Sequence, residues 1–174
     1  MRAMRVLIAG FGNVLRGDDG FGVAVAERLL AGGVPDGVSV LDVGIGGIHL
    51  IQELLTPADG LVVVDAVDLA RPPGTVLVIR PEIADVATLT VEDRRDTLAD
   101  MHYATPERAL LLARALDVLP DPTLLVGCQP ADAERVGQGL CPAVSAAVDV
   151  AAAEVRRIVT GFGIPWQAVT GAGR

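Results

Sequence analysis

Three side chains in this sequence have types and surroundings that suit chemistry at one centre: Asp19, Asp65 and His102. Asp19 lies in a glycine-rich loop, Asp65 ends an apolar run rich in β-branched residues, and His102 comes just before a segment with a helical pattern. Two carboxylates and one imidazole suit a divalent metal ion that keeps open coordination positions. Because the three residues are far apart in the sequence, this hypothesis requires a fold that brings them together.

The loop that carries Asp19 runs from Ala9 to Gly22 and reads AGFGNVLRGDDGFG. It does not match a dinucleotide-binding fingerprint, because Leu15 stands where the third glycine is needed, and it lacks the Gly-Lys-Ser/Thr of a phosphate-binding loop. A simpler interpretation is that Asp18 or Asp19 only caps the following helix. An acid and base pair of Asp18 with Asp19 is a further alternative, although adjacent side chains seldom face one reacting centre.

The apolar patterns predict a three-layer α/β/α domain with a mostly parallel sheet of about five strands. One strand, 75–79, should be antiparallel and lie beside its predecessor, because the nine residues between Asp65 and Thr75 are too few for a helical crossover. We expect one domain over residues 1–174, with a flexible tail at 161–174, from which Trp166 can pack back, and a surface loop at 81–100. The other predicted strands are 5–9, 37–42, 60–66 and 123–128, and the predicted helices are 23–30, 48–55, 105–116 and 142–159.

The carboxyl ends of parallel strands meet at one edge of a sheet, where α/β proteins build their sites. Four turns are expected at this edge, and they contain the two aspartates of the proposed set. His49, on the helix after the second turn, could face the same rim. The turns cover residues 10–19, 42–47, 65–68 and 128–130.

Composition argues against several functional classes. A net charge of −8 is unfavourable for nucleic-acid binding, and no apolar run approaches the ~20 residues that span a membrane. We interpret the apolar start of the chain as the first strand rather than a signal peptide. Cys128 and Cys141 are expected to be small buried side chains in a reduced, cytoplasmic protein. A serine-nucleophile elbow and a His-Glu-x-x-His metalloprotease helix are both absent from the sequence.

The segment Gly10–Gly22 resembles the signature of the nickel–iron hydrogenase maturation endopeptidases, which process the C-terminus of the hydrogenase large-subunit precursor. The resemblance continues in order through DVGIGG at 42–47, VVDA at 63–66, His102 and LCPAV at 140–144. It implies an endopeptidase that removes a C-terminal peptide from the nickel-loaded large-subunit precursor of a nickel–iron hydrogenase. The alternative is a nickel-sensing module that docks the precursor without cutting it.

The resemblance also implies roles for individual residues. Asp19, Asp65 and His102 match the metal-contacting residues of the family, with nickel carried by the precursor rather than held by the free enzyme. Asp19 or Asp65 is expected to assist hydrolysis, although Asp19 stands where the family often has glutamate. Val43 and Ile45 replace the second and fourth residues of the family's Asp-Gly-Gly-Thr. The expected substrate-docking residues lie in two loops: Gly12, Asn13, Asp42, Gly44, Gly46 and Gly47.

Overall fold

The computed structural model describes residues 3–93, 95 and 105–167 of the 174-residue chain. Its strands are β1 (Val6–Phe11), β2 (Val38–Gly44), β3 (Gly60–Ala66), β4 (Val76–Ile79) and β5 (Thr123–Cys128). The helices are α1 (Phe21–Ala31), α2 (Ile48–Leu54), α3 (Pro106–Ala115) and α4 (Pro142–Gly161), with 3-10 turns at Gly17–Gly20 and Val86–Thr88. The strands form one sheet in the order β2-β1-β3-β5-β4.

The sheet is mostly parallel, as predicted, with a single antiparallel pair formed by β4 and β5. The orientation of β4 was predicted correctly, but its predicted neighbour was wrong, because β5 lies between β3 and β4. The connection from β3 to β4 wraps over the end of β5. Val67 donates its backbone N–H to the Cys128 carbonyl at 2.9 Å, and Gln129 donates to the Thr75 carbonyl at 2.9 Å. A short connection can therefore leave room for a strand that arrives later in the chain.

Helices cover both faces of the sheet, which gives the expected three layers. On one face, α1 and α4 pack against β1 and β3 around residues such as Ile8 and Val62. On the other face, α2 and α3 pack against the alternate residues of the same strands, including Leu7 and Val63. Because both faces are buried, β1 and β3 are continuous apolar runs without polar alternation.

The start of α3 follows a local signal that the sequence carries clearly. Thr105 precedes the helix, and its side-chain oxygen accepts a hydrogen bond from the backbone N–H of Arg108 at 3.4 Å. Pro106 occupies the first turn, where a missing N–H costs nothing. This cap fixes where α3 begins beside the carboxyl edge of the sheet.

The first residues of the expected tail, including Trp166, pack against the fold. Helix α4 continues through Gly161, and Ile164 and Trp166 are then buried in the core between α1 and α4. The Trp166 indole N–H donates to the Gly33 carbonyl at 3.1 Å, which ties the end of the described chain to the end of α1. Residues 161–167 are therefore part of the packed fold, whereas 168–174 lie outside the described residues.

Two further expectations are only partly covered. Of the predicted surface loop at 81–100, the structure describes residues 81–93 and 95; they include the 3-10 turn at Val86–Thr88, and residues 91–93 and 95 are helical rather than loop. The remainder of that loop lies outside the described residues. Within the ranges that the structure describes, none of the helices is long and apolar enough to cross a membrane.

Candidate functional site

A cleft of about 180 Å³ opens at the carboxyl edge of the sheet, where β1, β2 and β3 end beside the start of α3. Asp19 and Asp65 both line it, although they are far apart in the sequence. The strand register explains this, because β1 pairs in parallel with both β2 and β3. The other described lining residues are Phe11, Gly12, Asn13, Arg16, Gly44, Ile45, Thr105 and Pro106.

Asp65 lies near the end of β3, partly buried, with few compensating contacts. Its carboxylate accepts one described hydrogen bond, from the backbone N–H of Ala66 at 2.9 Å. Burial, followed by the nearby negative charges of Asp19 and Glu107, outweighs that hydrogen bond, and together these effects raise the pKa of Asp65 to about 8. At neutral pH this carboxyl group therefore holds a proton that an ordinary aspartate would have released.

Asp19 projects from the 3-10 turn Gly17–Gly20 toward the same cleft. Its carboxylate accepts the backbone N–H of Asn13 at 2.9 Å. Gly12, next to Asn13, has a φ of +136°, and a Cβ there would lie 1.8 Å from the Asp19 carbonyl oxygen. The Gly12 N–H donates to the Gly44 carbonyl at 3.0 Å, and this hydrogen bond joins the loop after β1 to the end of β2. Glycine is therefore required at position 12 by the backbone that holds Asp19 in place.

Asp18 has a structural environment that the sequence did not indicate. Its side chain is 1 % exposed, and its carboxylate accepts backbone N–H groups of Ala131 at 2.9 Å, Asp132 at 3.1 Å and Cys141 at 2.7 Å. Burial alone would raise the pKa of Asp18, but these hydrogen bonds and one from the Cys141 side chain outweigh it and hold the pKa below its usual range.

Neither aspartate is a simple helix cap. The residue before α1 is Gly20, and the residue before the 3-10 turn is Arg16; neither position has a side-chain capping hydrogen bond. The capping interpretation is therefore wrong for both Asp18 and Asp19. The two side chains also point to different places, one into the protein and one to the cleft, so they do not form an acid and base pair.

Close packing of α1 against the strand ends holds this edge of the sheet together. A Cβ at Gly22 would lie 2.2 Å from the backbone oxygens of both Phe11 and Val64, and a Cβ at Gly10 would lie 2.2 Å from the Gly22 oxygen. The first turn of α1 therefore touches β1 and β3 through backbone atoms alone. This contact sets the distance between the loop of Asp19 and the strand end of Asp65.

The remaining predicted site residues fall into three groups. Gly12, Asn13 and Gly44 of the expected docking set line the cleft, whereas Asp42, Gly46 and Gly47 are not among its described lining. Gly46 and Gly47 instead form the turn into α2, with the Gly46 carbonyl accepting the His49 N–H at 3.2 Å. His49 itself is exposed on α2 and does not line the cleft either. His102 lies outside the described residues.

Both cysteines are free, and they lie near Asp18 rather than in the cleft. Cys128 is fully buried, as expected, and Cys141 is half-buried. Burial raises the pKa of the Cys128 thiol to about 11, with smaller contributions from Asp18 and Cys141. Cys128 therefore stays protonated at neutral pH and is a poor nucleophile.

The part of the chain that the structure describes contains no group of three His, Cys, Asp or Glu side chains that could hold a metal ion. Asp19 and Asp65 supply two carboxylates of the proposed set, and the third member, His102, is outside the described ranges. Carboxylate and imidazole are both ligands that nickel accepts. The two described carboxylates are donors that a divalent metal ion accepts, but they do not form a complete metal site by themselves.

Comparison with known proteins identifies the family. The model of the hydrogenase maturation protease family matches residues 23–158. Hydrogenase expression/formation protein HupD of Rhodobacter capsulatus is 35% identical over 161 residues, which cover 92% of this chain and 73% of HupD. The hydrogenase maturating endopeptidase HybD from E. coli superposes with a TM-score of 0.72 at 28% identity, covering 97% of this chain and 100% of HybD.

A second solved structure gives the same result. The hydrogenase 2 maturation peptidase from a Thaumarchaeota archaeon has a TM-score of 0.63 and 32% identity, covering 89% of this chain and 97% of that protein. The chain belongs to the hydrogenase maturation protease family, and its five-stranded mixed sheet with flanking helices is the fold of these peptidases.

Proposed function

We propose that this member of the family is a cytoplasmic endopeptidase that removes a C-terminal peptide from the nickel-loaded large-subunit precursor of a nickel–iron hydrogenase. The observation that carries the proposal is the convergence of Asp19 and Asp65 on one cleft, with the pKa of Asp65 raised to about 8. Perturbed carboxyl groups in a cleft are typical of catalytic or ligand-binding sites. The family membership supplies the reaction class, peptide-bond hydrolysis.

The two carboxyl groups are suited to different parts of that reaction. Asp19 has one backbone donor and faces the cleft, so in this proposal its carboxylate accepts a proton from the attacking water. Asp65 is protonated at neutral pH and can donate a proton to the leaving amine. Because burial and neighbouring charge raise the pKa of Asp65, this group can serve as the acid near neutral pH beside a second carboxyl group in the cleft. We therefore propose an aspartic-type mechanism.

Nickel enters the proposal as part of the substrate. Asp19, Asp65 and His102 would contact the ion that the precursor carries, which would make cleavage depend on prior nickel insertion. The negative charge of the Asp19 carboxylate attracts a divalent cation. An empty precursor lacks that charge, so it would be held less well at the cleft.

The rims of the cleft are the proposed docking surface for the polypeptide of the precursor. Gly12, Asn13 and Gly44 line the cleft directly and place backbone groups beside the carboxylates. Asp42, Gly46 and Gly47 extend the proposed surface along the second loop, with Asp42 exposed at the end of β2.

The proposal is tested by mass spectrometry of a candidate large-subunit precursor after incubation with this protein, with and without nickel loading. We expect loss of a C-terminal peptide only from the nickel-loaded precursor. Asp65→Asn should abolish this loss while the protein stays folded. Asp68→Asn is the matched control, because Asp68 lies three residues further along, is exposed and does not line the cleft.

Two outcomes would contradict the proposal. Binding of the nickel-loaded precursor without cleavage would favour a docking module. Equal cleavage by the wild type and Asp65→Asn would place the reaction elsewhere. Marked loss of thermal stability in Asp65→Asn would indicate a structural role for that carboxyl group.

A further inference from the structure

We propose that Asp18 is a positioning residue for the reaction at the cleft: it fastens the loop that carries Asp19 to the segment before α4. The inference rests on the proposed function for its catalytic consequence, whereas its structural part can be tested without substrate. Asp18 does not line the cleft, and it acts through its neighbour.

The carboxylate of Asp18 joins parts of the chain that are more than a hundred residues apart. One oxygen accepts the backbone N–H of Cys141, the residue before α4, at 2.7 Å. The other accepts the N–H groups of Ala131 and Asp132 at 2.9 and 3.1 Å. A negative charge at this end of a 20-residue helix is also favoured by the helix dipole. All three of these donors are backbone groups, and one carboxylate satisfies them together.

The two segments are also joined by backbone hydrogen bonds, one of them from the Asp18 N–H to the Asp132 carbonyl at 3.2 Å. Gly17 donates to the Gly137 carbonyl, and Gly137 donates to the Leu15 carbonyl, both at 2.9 Å. An ion pair between Arg16 and Glu134 adds an exposed contact. Exposed ion pairs contribute little to stability. The Asp18 carboxylate is the buried side-chain contact between the two segments, and it accepts three backbone N–H groups of the second one.

The next residue shows why that direction matters. Asp19 follows Asp18 directly, and its carboxylate is held by the N–H of Asn13 at 2.9 Å. If residue 18 moved, the side chain of Asp19 would move relative to Asp65 on β3, which packs in the centre of the sheet. Misplacement of a reacting group by about 1 Å can cost roughly 100-fold in rate.

The first variant is Asp18→Asn, which keeps the size of the side chain. Its amide NH₂ must face at least one backbone donor, so one or two hydrogen bonds are replaced by repulsion. We expect single-turnover cleavage of nickel-loaded precursor to fall roughly 10- to 100-fold, with the KM for the precursor changed less than about twofold. We also expect hydrogen exchange of the Asn13 amide, measured by NMR, to become about tenfold faster or more, while the Val63 amide in β3 is unchanged.

A second variant keeps the test decisive if Asp18→Asn does not fold. Ala131→Pro removes one donor to Asp18 at an exposed position and leaves the carboxylate in place. Ala133→Pro is its matched control in the same segment, since no hydrogen bond from the Ala133 N–H occurs among the described residues. Ala131→Pro should speed Asn13 exchange and slow cleavage, and Ala133→Pro should do neither.

The outcomes separate this inference from the proposed function. Normal cleavage and normal Asn13 exchange in a folded Asp18→Asn protein would overturn it. Val155→Ala, in the core of α4, is the control for simple destabilisation, because its loss of rate should equal its unfolded fraction. If the loss of rate in Asp18→Asn is likewise fully explained by its unfolded fraction, the inference is also overturned. If the wild type cuts no precursor, the proposed function fails, and Asn13 exchange alone then decides whether Asp18 positions the loop.

Discussion

The two ends of the sheet carry two clefts, and the smaller one has the properties of a reaction site. At the amino end of β5 lies a cleft of about 360 Å³ that contains two arginines and two aspartates. These charges are largely compensated, because Arg80 pairs with Asp121 at 2.5 Å and Arg114 donates to the Ile83 carbonyl. The cleft at the carboxyl end is about 180 Å³.

The carboxyl end differs in how its charge is balanced. Among the described residues, neither Asp19 nor Asp65 forms an ion pair, and each accepts one backbone hydrogen bond. The pKa of Asp65 is raised to about 8 as a result of burial and of the adjacent negative charge. Cavity size therefore does not favour the proposed site, whereas two carboxyl groups without ion-pair partners among the described residues do.

The largest expected effect comes from removing one of the uncompensated charges. Asp19→Asn should reduce cleavage of the nickel-loaded precursor by roughly 10²–10⁴-fold, because it removes the proposed base. Asp121→Asn, at the larger cleft, is the matched control and should leave the rate unchanged. Rates are measured from peptide release by mass spectrometry. If Asp121→Asn lost activity and Asp19→Asn did not, the reaction would belong to the larger cleft instead of the smaller one.

The comparison predicts a pH dependence of stability that is specific to Asp65. The unfolded chain releases this proton near pH 3.8, whereas the folded protein retains it up to about pH 8. The folded state thus binds more protons between these values, so the free energy of unfolding should fall as pH rises from about 4 to about 8. Asp65→Asn should lack this fall and should be roughly 2–5 kcal/mol more stable than the wild type at pH 8.

Urea unfolding at several pH values measures this difference. Asp68→Asn serves as the control and should follow the wild-type curve, since Asp68 is exposed. If the free energy of unfolding depends on pH in the same way in the wild type and in Asp65→Asn, the pKa of Asp65 is not raised in the folded protein.

The smallest expected effect lies at the larger cleft. Arg80 and Asp121 are 68% and 83% exposed, so their ion pair is well screened by solvent. Arg80→Ala should therefore change the free energy of unfolding by less than about 1 kcal/mol and leave cleavage intact. Thermal and urea unfolding check the first expectation, and the precursor assay checks the second. A large fall in cleavage would show that this cleft takes part in the reaction.

Local patterns explain how much of the fold could be predicted from the sequence. The apolar run ending at Asp65, the Thr105-Pro106 helix start and the glycine-rich loop before α1 each act over a few residues. They placed the described strands and helices within a few residues of their observed bounds. The neighbour of β4 was missed, because an apolar pattern says which face of a strand is buried but not which strand pairs with it.

The candidate site was predictable only in part, for a related reason. Asp65 was recognisable because it ends a buried parallel strand. Asp18 was missed, because its partners are backbone N–H groups at positions 131, 132 and 141, which no side-chain motif reveals. The sequence did indicate that Asp18 and Asp19 have different roles. Adjacent side chains point in different directions, so only one of the two can face the cleft.

The most direct test of the uncompensated carboxyl pair is an NMR titration of the Asp65 carboxyl carbon in the folded protein. The structure predicts an apparent pKa of about 8 for Asp65, and a lower pKa in Asp19→Asn, where one of the neighbouring negative charges is removed. A pKa near the ordinary value of 3.8, unchanged by Asp19→Asn, would contradict the account. It would mean that the charges of the cleft at the carboxyl end of the sheet are balanced, as they are in the larger cleft at the amino end of β5.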